Sequence, residues 1–306
     1  MGVVYWKELS DHFSSLRFMI LLALIILPGI FEIYLAGQVI RQEVETNPTQ
    51  FVFLRLLTSE AFFFSLATFL GYFGPLVGIT LGFDSMSGEY GRGTLSRVLS
   101  QPIYRDSLIN GKFLAGLTTV AILWISILLI VIGLGIIMVG FPPDAEELWR
   151  MLFFTVVGIV YVGFWLALAT LLSLLLRRTV TAALASLAIW LFLGLFLGVL
   201  ANLVASLIVP SPGTVEEATR QATIATVIAH ISPSVLYSES VRLLLNPIAR
   251  SLVPFAPDQL QGLLPTPVSL KESLLLVWPL VSTLLALVAI CFGIAYIKFM
   301  RTEIRG

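Results

Sequence analysis

The chain has 306 residues, of which 58% are hydrophobic and only 12% charged, and its formal net charge is +0. Soluble domains carry roughly 25% charged residues, so this composition excludes a soluble globular protein and leaves little room for a soluble domain beside a membrane-embedded one. Balanced charge gives no reason to expect a nucleic-acid partner.

The first stretch, Tyr5-Trp-Lys-Glu-Leu-Ser-Asp-His-Phe-Ser-Ser-Leu16, mixes aromatic and charged residues. It is expected to lie in the membrane interface as an amphipathic helix over 1–17; the alternative is a short polar tail. No basic start, short apolar core and cleavage site follow one another here. The first apolar helix is therefore expected to act as the insertion signal.

A membrane-crossing helix needs about 20 apolar residues. Six segments qualify: Phe18–Gln38, Ala61–Phe83, Phe113–Val139, Met151–Leu176, Val180–Val209 and Ser273–Ile297. The fifth is long enough to be tilted, kinked or to end in a half-helix. Glu32 is the one carboxylate well inside a predicted span. Ionisable residues there are costly and often functional. Glu32 is thus a candidate for a substrate path or proton relay, against an interfacial residue reaching water. Gly74, Gly78 and Gly82 form a small-residue ladder in the second span, and Gly194 and Gly198 repeat the spacing in the fifth. Such faces let helices approach closely, within one chain or between subunits.

Lysine and arginine in the short loops set orientation. One side carries Lys7 and Arg17, then Arg92, Arg97, Arg105 and Lys112, then Arg177 and Arg178, then the basic C-terminus. The other side carries fewer, mostly in one long loop. This predicts both termini, and the 84–112 loop, in the cytoplasm of a cell bounded by this inner membrane.

The 210–271 region lies between the fifth and sixth spans and holds over half of the chain's prolines, which rules out one long helix. Two short helices are predicted in this extracytoplasmic loop. Thr214-Val-Glu-Glu217 fits a capping box that opens a helix to about His230. Ser232-Pro233 fits an N-cap with proline at the first helical position, and that helix ends before Asn246-Pro247. A re-entrant arrangement is the alternative to a surface one.

The most informative stretch is the polar island 84–112. Gly91 and Gly93 permit a break after the second span. Thr94 is placed to cap a short helix over Leu95–Leu99, which Pro102 ends. Leu95 and Leu99 share one face and suit a groove in a soluble partner, with Glu89, Arg97 and Arg105 as a charged rim. The bland reading is a solvated loop that only fixes topology. The stretch resembles the cytoplasmic loop of ABC-2 type permeases, the membrane subunits of one class of ATP-binding-cassette exporter. It carries Glu89, Gly93-Thr94-Leu95, Leu99-Ser100-Gln101-Pro102, Arg105 and Gly111-Lys112 in the order those proteins show.

That resemblance implies an all-α membrane protein. It would have six spans, an N-terminal interfacial helix, a cytoplasmic coupling helix between spans two and three, and one permease domain over 1–306. It also implies a separate ATPase subunit that carries ATP and Mg, a second permease subunit, identical or not, and export as the usual direction. Some members instead pass ATP-driven motion to an extracytoplasmic protein. A secondary transporter is a further alternative, opposed by the scarcity of charge in the spans. The chain has no G-x-x-x-x-G-K-[S/T], since Gly111-Lys112 is followed by Phe113. No cofactor is therefore expected on this chain. No His, Cys or acidic pair has metal-ligand spacing, and no nucleophile motif stands out. The chain is not expected to be an enzyme by itself.

Overall fold

The computed structural model describes residues 2–46, 51–61, 64–91, 93, 104–210, 213–247 and 268–302. Among them there are helices and turns and no strand. Six helical segments are long and apolar enough to cross a membrane: Leu16–Gln42, Leu66–Gly91, Arg105–Val139, Ala145–Leu176, Thr179–Ile208 and Leu270–Arg301. They agree with the six predicted segments in order. The third starts about two turns before its apolar run, at Arg105 instead of Phe113. Its first turns are polar yet helical, and Asp106 there complements the helix N-terminus.

The fourth span is the axis of the bundle and packs on the second, third and sixth. The glycine ladder of the second span lies on it. A methyl at Gly78 would sit 2.5 Å from the Val162 carbonyl oxygen, and one at Gly82 would sit 2.7 Å from that of Leu166. Lipid supplies no hydrophobic drive between helices, so this backbone approach carries the packing. Gly78→Val should therefore lower stability by more than the usual overpacking cost of about 1–3 kcal/mol, because backbone cannot move aside as a side chain does. Thermal unfolding in detergent measures this. Gly198, by contrast, has no neighbour there within 4 Å, and Gly194 touches only side chains, Ser234 and Trp190, at 3.5 Å or more.

Pro75 lies inside the second span. Having no N–H, it leaves the Gly71 carbonyl without its helical partner. The Tyr161 hydroxyl of the fourth span donates to that oxygen at 2.9 Å. Its single hydrogen is then used, so Ser234 Oγ, 2.9 Å away, is the donor in the second contact.

Ser234 belongs to the region between the fifth and sixth spans, where the sequence predicted two short helices. They form as Val215–Ala229 and Pro233–Leu245. Thr214 caps the first, accepting from the Glu217 amide at 3.2 Å, while the Glu217 carboxylate accepts from Gly213 N instead of closing the box. Ser232 caps the second, accepting from Ser234 N and Val235 N. Among the described residues these two helices form a hairpin. Its first helix packs along Leu197–Ile208, the C-terminal part of the fifth span. At the turn, Ser232 Oγ donates to the Leu193 carbonyl at 2.7 Å, inside a π-helical turn over Phe192–Phe196. Such turns interrupt helices at functional sites. The His230 ring meets Glu239 at 2.7 Å and staples the hairpin tip.

Both chain ends gather at one end of the bundle, where Val4, Met86, Leu108, Leu174, Ala295 and Phe299 share a small core. The opposite end is held by one arginine. Arg150 is fully buried. It donates to the Leu244 carbonyl at 2.9 Å, the Val268 carbonyl at 2.6 Å and Ser273 Oγ at 3.2 Å, and pairs with Glu146 at 2.8 Å. It thus ties the hairpin's exit and the start of the sixth span to the fourth. Beside it, buried Glu147 accepts from Phe53 N at 2.8 Å and Asp144 N at 2.9 Å. This seats the short helix Val52–Thr58.

Candidate functional site

The polar island begins as the second span ends. A turn at 83–86 leads into the helix Ser87–Gly91. Ser173 Oγ of the fourth span accepts from Met86 N at 3.1 Å and Ser87 N at 2.8 Å, covering amides that open the short helix. Asp84 accepts from the Thr179 hydroxyl at 3.3 Å. The turn is thereby fixed to the junction of the fourth and fifth spans.

Glu89 faces inward and is 8% exposed. Its carboxylate lies 3.4 Å from Lys112 Nζ, and Lys112 also reaches Glu8 at 2.7 Å. The lysine joins three elements: the short helix Ser87–Gly91 that ends the second span, the third span, and the N-terminal helix Gly2–Ser14. That helix is no polar tail. It packs along the third span, with Val4 against Gly111, where a methyl would fall 3.0 Å away. Tyr5 OH donates to Thr118 Oγ1 at 3.1 Å. Trp6 and Phe13, seven apart, point outward at 67% and 40% exposure, as interfacial anchors do.

The remaining predicted residues of the island fall as follows. Gly93 has φ +65, a left-handed conformation that favours glycine, so the break predicted there is real. Arg105 donates from Nη1 to the Thr302 carbonyl at 3.1 Å, which ties the third span to the end of the sixth. Gly111-Lys112 lies in the second turn of the third span and does not open it. Thr94, Leu95, Arg97, Leu99 and Pro102 lie outside the described residues.

A second feature lies midway along the bundle. A groove of about 190 Å³ is lined by Thr68 and Tyr72 of the second span, Gly194 of the π turn, and Ser234, Val235 and Ser238 of the hairpin. Tyr237 also lines it and stacks on Tyr161 behind it, with centroids 4.4 Å apart. Tyr237 OH donates to the Ala67 carbonyl at 3.3 Å. The groove is thus hydroxyl-lined but carries no charge among its described lining residues. Glu32 is not part of it; that carboxylate is 6% exposed and accepts from Ala61 N at 3.1 Å.

The family described as ABC-2 family transporter protein matches residues 3–304. The chain belongs to this family. No curated protein matches it. Membership makes the chain a multi-pass ABC-2 permease, a membrane transport subunit of an ABC transporter. The family in general implies an ATPase partner and dimeric assembly. Several residues that organise this ABC-2 permease had no sequence signal of their own. Tyr161 and Ser234 read as ordinary polar positions, and Glu8 only as part of an amphipathic start. Lys112 enters the sequence reading as an orienting cation and as half of Gly111-Lys112, although a lysine so near an apolar run is a reason to look for a buried partner.

Proposed function

We propose that this ABC-2 permease couples ATP hydrolysis by a separate ATPase subunit to outward movement of a substrate across the cytoplasmic membrane. The termini and the 84–112 loop would face the ATPase. The Lys112 junction carries this reading. The helix that receives the push, Ser87–Gly91, is joined through one buried lysine to the third span and the N-terminal helix. A push on the loop would move these three elements together, and the ties to Ser173 and Thr179 would extend the motion to the fourth and fifth spans. The hydroxyl-lined groove beside the π turn is the candidate substrate path, completed across a second permease subunit. Translocation over mechanical transmission is supported by the second hairpin helix, whose Ser234, Val235 and Ser238 line this groove.

The test falls on the loop's leucine pair. Buried central anchors contribute about 2 kcal/mol or more each to an interface. Leu95→Asp combined with Leu99→Asp should abolish co-purification of the ATPase, whereas Arg97→Ala should weaken it little, because exposed pairs contribute only about 0–1 kcal/mol. Normal recovery of ATPase and normal transport by the double variant would reduce the loop to a connector.

A further inference from the structure

Between the N-terminal helix and the second span lies a cavity of about 260 Å³, whose inner wall includes the Lys112 junction and whose outer rim the coupling reading leaves unused. Its floor is apolar, with Phe18 3% and Leu81 6% exposed. Its rim is charged with both signs. Lys7 lies 3.6 Å from Asp11 and 3.9 Å from Glu8, and Arg17 lies 3.7 Å from Asp84. These contacts are long, and the Lys7, Asp11 and Arg17 side chains are 66%, 61% and 70% exposed. Pairs so exposed are weak and readily exchanged. The inner lysine, Lys112, is already committed to Glu8 and Glu89.

The charges do not balance. Among the described lining residues, the carboxylates Glu8, Asp11, Asp84 and Glu89 outnumber the cations Lys7, Arg17 and Lys112. His12 adds nothing to the positive side at neutral pH, because burial pushes its pKa below the usual value. The cavity therefore offers two accessible cations for an anion and a surplus carboxylate for a cation. Depth supplies the second observation. Exposed Trp6, Phe13 and Leu16 on the same helix and its exit set the mouth at the level of lipid headgroups.

We propose that this cavity binds the zwitterionic headgroup of a phosphoethanolamine lipid from the leaflet at the terminal end, with phosphate at Lys7 and Arg17 and the primary ammonium at Asp11. Phosphocholine lacks N–H donors and favours aromatic faces, of which the described lining has one, Phe18. Phosphoglycerol adds negative charge where carboxylates are already in surplus. The acyl chains would leave over Phe18 along the first span, whose Met19 and Ile20 are exposed. This inference does not depend on the direction of transport or on the ATPase.

The experiment uses the delipidated full chain in detergent, titrated with phosphatidylethanolamine, phosphatidylglycerol or phosphatidylcholine of equal acyl length and read by native mass spectrometry. Phosphatidylethanolamine should be retained at least fivefold over the others. Asp11→Asn, and separately Lys7→Gln with Arg17→Gln, should erase that preference. These exposed positions leave the Lys112 junction intact, and unchanged circular dichroism checks the fold. Acyl-free glycerophosphoethanolamine, run in parallel, identifies the source, and weak binding of it supports the lipid. Equal retention of the three lipids, an undiminished preference in both variants, or equal binding of the acyl-free headgroup overturns the proposal.

Discussion

Lys112→Met should cost this permease both stability and coupling. The Lys112 side chain is 7% exposed, and its carboxylate partners Glu8 and Glu89 are 14% and 11% exposed. Removing the lysine takes from two largely buried carboxylates the cation they share. Breaking a buried pair in this way costs about 3–5 kcal/mol. The thermal midpoint in detergent should fall accordingly, and ATP-driven transport should drop further than the loss of folded protein explains. The triple variant Glu8→Gln, Lys112→Met, Glu89→Gln separates the two effects. Replacing a whole buried ionic group by neutral side chains is often neutral for stability. Its midpoint should recover most of the loss, while transport per ATP hydrolysed stays low, since the Lys112 link between the loop helix and the N-terminal helix is gone. Full transport by the triple variant would make the junction a packing feature only.

The second large effect is expected at the opposite end. Arg150→Met removes the donors to Leu244 O, Val268 O and Ser273 Oγ. Each acceptor left buried without a partner costs about 1–3 kcal/mol. The paired Glu146 is 41% exposed and is rehydrated at little cost. The damage should therefore concentrate at these acceptors, and within a helix at the C-terminal turn of Pro233–Leu245, which holds the Leu244 carbonyl. Amide hydrogen exchange across 233–245 should accelerate well before the rest of the bundle responds. Arg150→Lys should not restore it, because a point ammonium cannot span the forked set of acceptors. Wild-type exchange in Arg150→Met would show that the hairpin is held by its Ser232 and Ser234 contacts alone. If so, the groove's far wall would not depend on the arginine.

Both junctions were hidden in the sequence for the same reason. Lys112 and Glu8 are 104 positions apart, and Arg150 and the Leu244 carbonyl are 94 apart. Nothing local in a single chain links such positions. The same holds for Tyr161, whose bond to Gly71 follows from Pro75 only once the fourth span is known to lie beside the second. Glu89 shows a subtler limit. The motif marked it as important, and its charge suggested a place on a solvated rim, but a lysine from another helix neutralises it and draws it inside.

What the sequence determined by itself was whatever depends on neighbours along the chain. Apolar length fixed the six spans, since a helix crossing lipid must satisfy its own backbone. Thr214, Ser232 and Pro233 fixed where the hairpin helices begin, because a cap acts within one turn. Gly93 marked the break after the loop helix, because few other residues adopt a left-handed φ. The tertiary structure alone decided where those pieces go. The prolines of 210–271 barred a long helix but did not say whether the short ones lie on the surface or turn inward. That was settled by two acceptors elsewhere: the Leu193 carbonyl in the π turn, and the Tyr161 oxygen, whose own hydrogen serves the carbonyl freed by Pro75. A polar hairpin turn can sit at mid-bundle only where its hydroxyls and backbone find such partners, and those partners come from spans that only folding brings alongside.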